Sequence, residues 1–466
     1  MRPLTVGRPI LRGPLLVACS ALAVAVGAGA GGSAVAQGPI ARIGMNYFDG
    51  WSDQVSGFHF NGLVRPDANG RFPGRMPLSG WRDNTPAAMR VALQWAHQDG
   101  VDFFLFDWFY QADPLLNIAL GNYLQLNDHR GVGVALEYVN IDPFVVPQSD
   151  WQSVVEQWVT QVLSNPDYAR INGEPILYVI DSVRFTQQWG GPEGVNAALS
   201  TLRQTAIAHG LPGVFVIGSV EVGTPVDNPG WAAYATYLLQ GENWDALTQG
   251  TYPSAVGEPD GSQPYANEIT AGERSWDIYA EQLGVPTIPS VQAGWDPRPW
   301  NEAIDGHLWW FNRTPEQFGA FVGAAAAWAQ EHPLPGQPPG APVVFVQSWN
   351  ELGEGMTVIP TLDDGYAYGQ ALAQAVGLPA ATPTKEALSI TTSRGGAVKA
   401  QPTSASCGGG LCHRTVDYGR QVILSATPRH GYAFRSWAGG CSGQSHSCSF
   451  IIEHDTVVQA TFKRLN

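Results

Sequence analysis

"VVFVQSWNELGEGMTVIP", residues 343–360, begins as an apolar, β-branched run and ends in two carboxylates three positions apart, Glu351 and Glu354. A strand with so little polar content is buried on both faces, as in a parallel sheet covered by helices. The polar burst Trp349-Asn350-Glu351 marks its C-terminal end, and Gly353 and Gly355 let the backbone turn tightly around Glu354. Acids delivered at the end of a buried parallel strand point to a barrel, where chemistry gathers at the C-terminal strand ends.

Seven runs of the same kind precede it: "ARIGMNYF" from 41, "VDFFLFDW" from 101, "GVGVALEY" from 131, "PILYVIDS" from 175, "GVFVIGSV" from 213, "NWDALTQG" from 243 and "VPTIPSVQ" from 285. Amphipathic segments lie between them, such as "TPAAMRVALQWAHQDG" (85–100) and "TPEQFGAFVGAAAAWAQEH" (314–332). The first opens on Thr85-Pro86, an N-cap and first-turn pair, and closes on Gly100 in a C-cap position. Eight strands alternating with helices predict a (β/α)8 TIM barrel over residues 37–376, of which the sixth strand is the least regular. A doubly wound open sheet is the alternative α/β arrangement, but no Gly-rich phosphate fingerprint follows the first strand.

Nearly every strand end carries an acid, and several add an aromatic side chain. Asp49 and Trp51 follow the first strand; Asp107, Trp108 and Tyr110 the second; Glu137, Tyr138 and Asn140 the third. Asp181 and Glu221 follow the fourth and fifth, Trp295, Asp296 and Arg298 the seventh, and Trp349 and Asn350 precede the two glutamates of the eighth. Carboxyl groups supply proton donors, proton acceptors and hydroxyl acceptors, while aromatic faces stack on sugar rings. The set reads as a carbohydrate site that calls for no metal or cofactor. Each member also has a plain structural role open to it. Asp181 and Glu221 suit helix N-caps, Trp108 and Trp349 suit the core, and Asp296 with Arg298 suits a loop-holding ion pair. Glu351 and Glu354 are harder to explain that way. Two carboxyls on one short loop repel, which keeps one protonated near neutral pH, and glycoside cleavage needs one acid and one base.

"SWNELGEG" (348–355), with "PSVQAGWDPR" (289–298) upstream and "DDGYAYGQAL" (363–372) downstream, resembles glycoside hydrolase family 99 and its family-99-like relatives over roughly residues 41–376. The resemblance implies that Glu354 is the general acid/base. It implies that Glu351 deprotonates the substrate 2-hydroxyl, which attacks C1 to give a 1,2-anhydro sugar with overall retention. Glu137 matches an acidic position on a family strand. Leu352 stands where the family has Trp, Gly353 where it often has His, and the opening "NYFDGW" departs from the family's aromatic, Pro-rich start. Those departures remodel the sugar pocket, so the α-mannoside specificity of the best-known members does not carry over. Some relatives are described as glycosyltransferase-like.

The termini are of other kinds. Arg2, Arg8 and Arg12 precede an Ala/Gly-rich apolar run that ends at Ala34-x-Ala36, so residues 1–36 are expected to be a signal peptide cleaved near Ala36. Cys19 offers a lipoprotein alternative, with too few apolar residues before it. No later run reaches the roughly 18 apolar residues of a membrane span. The formal net charge of −15 argues against nucleic acid as a partner. A Pro/Ala/Thr stretch, 377–387, reads as a linker, and residues 388–466 as a small all-β domain of alternating strands. Cys407, Cys412, Cys441 and Cys448 all fall there, and their spacings suit two short-loop disulfides, Cys407–Cys412 and Cys441–Cys448, better than zinc. "GRQVILSATPRHGYAFRSWAGGCSGQSHSCSFIIEHDTVVQATF" (419–462) resembles the divergent B-repeat β-domains of bacterial secreted and surface proteins. That resemblance implies an accessory module, for cell-wall or glycan contact or for stability. With eight Lys and Arg against three Asp and Glu from Leu388 onward, it is basic behind an acidic barrel. Trp437 is expected to pack its core.

The expectation is thus a secreted glycoside hydrolase acting on an oligo- or polysaccharide. The alternatives are a non-catalytic carbohydrate-binding or adhesion protein with a degenerate barrel, and a glycosyltransferase-like enzyme.

Overall fold

The computed structural model describes residues 40–52, 63, 72–111, 116–220, 239, 241–250, 262–299, 309–338, 342–403 and 405–465. The expected signal peptide and Glu221 lie outside these residues.

All eight expected strands form, each burying both faces. They are β1 Arg42–Tyr47, β2 Phe103–Trp108, β3 Gly133–Tyr138, β4 Glu174–Val179, β5 Phe215–Val220, β6 Ala246–Gln249, β7 Ser290–Gln292 and β8 Val343–Gln347. Each is parallel to its neighbours, in the order β6-β5-β4-β3-β2-β1-β8-β7. The gap between β6 and β7 is bridged just before β7 begins, where the Leu247 amide donates to Pro286 O at 2.8 Å and the Ile288 amide to Leu247 O at 2.9 Å. The result is a nearly closed (β/α)8 barrel, as expected. The sixth and seventh strands are the short ones, and Thr248 of the sixth adds a hydroxyl bond to Ile288 O at 2.9 Å.

The helices follow from their end signals. In α1, Pro86–Asp99, Thr85 Oγ1 accepts from the Ala88 amide, and Gly100 ends the helix at φ 84°. Pro315–Glu331 is capped alike, by Thr314 Oγ1 on the Gln317 amide. Each strand rises to its C-terminal end and each helix returns, so the N-terminal end of α1 lies at the barrel end where the acids cluster. No helix among the described residues is long and apolar enough to cross a membrane.

Beyond the last barrel helix, Ala367–Ala375, strands begin again at Lys385. Eight of them, β9 Lys385–Thr392, β10 Gly396–Gln401, β11 Ala405–Gly408, β12 Leu411–Asp417, β13 Gln421–Pro428, β14 Tyr432–Gly439, β15 Ser447–Ile451 and β16 Thr456–Arg464, form two four-stranded sheets. The sheets run β12-β9-β16-β14 and β11-β10-β13-β15, antiparallel except for β9 with β16. Alternate residues face inward, and Trp437 lies in that core at 4% exposure, its indole N–H donating to Ser445 O. Disulfides join Cys407 to Cys412, tying β11 of one sheet to β12 of the other, and Cys441 to Cys448, tying the turn after β14 to β15. This second domain is docked on the barrel. The Gln421 amide donates to Leu78 O at 2.7 Å, Arg90 of α1 forms a two-pronged ion pair with Glu453, and Gly419 lies so close to Trp95 and Val91 that a Cβ there would clash.

Candidate active site

The eighth strand ends in a tight hairpin. Asn350 and Glu351 pair antiparallel with Thr357 and Met356, and Glu354 sits on the turn ahead of Gly355, whose φ of 66° favours glycine. Ser348 pins the hairpin from below: its hydroxyl accepts from the Glu351 amide at 2.9 Å and donates to Met356 O at 2.8 Å. Arg75 pins it from the side, donating to Leu352 O and Asp296 O at 3.0 Å each and pairing with the Asp296 carboxylate. Asp296 completes the brace through its own amide, which donates to Glu354 O at 2.5 Å, and Arg298 grips its carboxylate at 2.6 and 2.8 Å. Asp296 and Arg298 therefore form the frame that carries the two glutamates.

Above the barrel axis a cleft of about 690 Å³ of empty space opens to solvent. Glu351, Glu354, Asp107 and Glu137 all line it, with Trp295 as an aromatic wall and no Lys, Arg or His among the described lining residues. Sequence reading singled out these five. It passed over Asn46, Phe48, Gln347 and Ser348, which line the cleft too. The Asn46 amide nitrogen donates to Glu137 Oε2, orienting that carboxyl. A polar residue inside an apolar strand was the available signal, since Asn46 and Gln347 each stand near the end of an otherwise apolar run.

Four crowded acids cannot all ionise. Burial, and then the charges of Glu354, Asp107 and Glu137, push the Glu351 carboxyl well above its ordinary range. Its Oε2 is shut from solvent with no hydrogen-bond partner. Asp107 is pushed up by burial, then by Asp49 and Glu354, while a hydrogen bond with Glu137 pulls the other way. Crowding and burial thus both favour the neutral form of the Glu351 and Asp107 carboxyls.

The remaining candidates build the walls. Asp49 is fully buried and accepts from the Ala119 and Leu120 amides at 2.9 and 2.8 Å, holding the first turn of α2, Ile118–Gln125, with its carboxyl pushed up by burial to about 6. Trp51 donates to Asn350 O, and Asn350 exchanges two hydrogen bonds with the backbone of Phe48, at 2.8 and 3.0 Å. Trp349 is core, its ring 5.4 Å from Phe104. Trp108 stands edge-on to Trp158 beside Tyr138, whose hydroxyl accepts from the Val146 amide. Tyr110 donates to Asp150. Asn140 is paired with the backbone of Asp181, which caps the helix Ser182–Trp189 through the Arg184 amide. Leu352, where the family has Trp, is 1% exposed and lines a small pocket with Trp51 and Ile359, apart from the residues that line the cleft. Among the described residues no cluster of His, Cys, Asp and Glu is arranged to hold a metal.

Residues 145–372 match the family model described as "Glycosyltransferase WbsX", and residues 387–466 match "Divergent InlB B-repeat domain". No protein of curated function matches the chain. Among solved structures, one described as a "Glycoside hydrolase-like protein" is 14% identical, with a TM-score of 0.52, over 73% of this chain and 95% of its own. The family 99 endo-α-mannosidase of Bacteroides thetaiotaomicron is 15% identical over 72% of this chain and 95% of its own, with a TM-score of 0.48. The barrel shares its fold with that glycoside hydrolase-like protein.

Proposed function

We propose, from the premise that this chain is a glycoside hydrolase family 99-like barrel followed by a divergent InlB B-repeat domain, that it is an exported, retaining glycoside hydrolase acting on a glycan. One observation carries the reading: Glu351 and Glu354 converge with Asp107 and Glu137 in a single cleft walled by Trp295. Glu354, on the turn, donates the proton that releases the leaving sugar and later takes one from water. Glu351, whose carboxyl holds its proton tightly, is a strong base once ionised, matched to a sugar 2-hydroxyl. The hydroxyl then closes on C1, and water reopens the anhydro ring from the opposite face, so two inversions give net retention.

The lining also bears on the glycosyltransferase reading. A pyrophosphate-bearing donor would meet four acidic side chains and no basic one among the described lining residues. That favours a neutral sugar chain and water as acceptor. The deciding experiment is to incubate the purified protein with a panel of α-linked oligosaccharides and bacterial polysaccharides and to follow the first-formed product by NMR. Release of a sugar that keeps its anomeric configuration is expected. An inverted first product sinks the neighbouring-group route, and absence of hydrolysis across the panel moves the binding-protein reading ahead.

A further inference from the structure

A second concavity, larger than the cleft at about 1330 Å³ of open space, lies where the B-repeat domain meets the barrel. Trp81, Arg82 and Asn84 form its barrel wall, and Gln421, Phe450 and Ile451 form the wall from the second domain. Trp81, Phe450 and Ile451 are only partly buried, so aromatic and aliphatic faces remain open to a ligand. The polar part is amide and hydroxyl groups with one guanidinium, and no carboxylate among the described lining residues. Aromatic faces among neutral hydrogen-bonding groups make a wall for sugar rings. Among the described lining residues, that makeup sets this groove apart from the acid-lined cleft.

Its place makes the link to catalysis. Trp81 to Asn84 immediately precede α1, whose N-terminal end lies at the catalytic end of the barrel. The same segment begins at Arg75, which braces the catalytic hairpin, and six residues later reaches Trp81, a span of at most about 20 Å. Groove and cleft are therefore two stations on one rim. We propose that this groove is a second glycan-binding site, formed jointly by barrel and B-repeat domain, that holds a distant stretch of the polysaccharide being cut at Glu351 and Glu354. The proposal rests on the hydrolase reading for its substrate, and its test separates the two.

Trp81→Ala and Phe450→Ala, one on each wall, are compared with the unmodified full chain on a polymer and on a short oligosaccharide that fills the cleft alone. Loss of one stacking face is expected to raise KM for the polymer about tenfold, leaving kcat and all constants for the short substrate unchanged. Equal loss on both substrates, or no change on either, overturns the groove. Binding is read independently by casting α-mannan, dextran or pullulan into native gels. Retardation of the unmodified chain that disappears in both variants supports the groove even if no hydrolysis is found, in which case the enzyme reading alone has failed. Retardation by none of the three overturns the groove, whatever the hydrolysis assay gives.

Discussion

At the scale of single residues, the proposed hydrolase reading gives the two hairpin glutamates different tasks, and each can be tested. Glu354→Gln is expected to lower turnover by roughly 10²–10⁴-fold, least for substrates with good leaving groups. Glu351→Gln should fail even with an activated leaving group, because departure waits on the 2-hydroxyl, and a 2-deoxy substrate should be inert. Steady-state rates on matched aryl glycosides check both, and full activity in the two variants would remove the site assignment. Glu351 also carries a stability signature. Its folded-state pKa lies well above the ordinary 4.5, so between those values the folded chain holds a proton the unfolded chain has lost. Stability therefore falls as pH rises through that window and is recovered below it. Glu351→Gln should melt at a higher temperature than the unmodified chain at pH 7.5, and the gap should close near pH 4.5. The acids were legible in the sequence because each follows a strand. Which of them faces the cleft was not legible, since a carboxylate that caps a helix and one that meets substrate occupy the same kind of position. Asp49 and Asp181 went to helix ends, while Asn46, unnoticed inside β1, went to the cleft.

At the scale of elements, the eight strands were legible, the weak sixth included, because burial on both faces writes an unbroken apolar run. The same property hides orientation: with both faces apolar, a tryptophan such as Trp349 does not reveal whether it faces helix or cleft. The loops that turn strand ends into walls are held by side-chain-to-backbone bonds between segments distant in the chain, which no local pattern announces. Asp49 is the sharpest case, holding two amide groups of α2 from a position 70 residues earlier. Asp49→Ala should leave those amides unsatisfied and cost about 2 kcal/mol, with Asp49→Asn less harmful. Urea titration of both variants reads this, and an Ala variant as stable as the parent would show that water replaces the carboxylate.

At the scale of the whole molecule, composition raised the expectation of an acidic barrel and a basic β-domain joined near residues 377–387, while nothing in it announced their docking. Cutting the chain near Pro383 should leave a barrel that still hydrolyses short substrates, since every cleft acid precedes the cut, but with a lower Tm because Trp95 and Val91 lose the cover of Gly419. Circular dichroism and a short-substrate assay on residues 37–380 check this; a folded but inactive fragment would make the second domain part of the catalytic unit. The seam between first and last strands has a consequence of its own. Asn350 grips the backbone of Phe48 across 302 residues of sequence, and the Trp349 amide donates to Asn46 O. A ribosome releases the chain from its N-terminus, so the beginning of the barrel must wait for its end. Because the glutamates ride on the piece that closes the ring, a nascent or truncated chain lacking it has no cleft at all. Formation of the cleft is then all-or-none with synthesis of the barrel, and a partly made molecule offers no pocket for any ligand it meets.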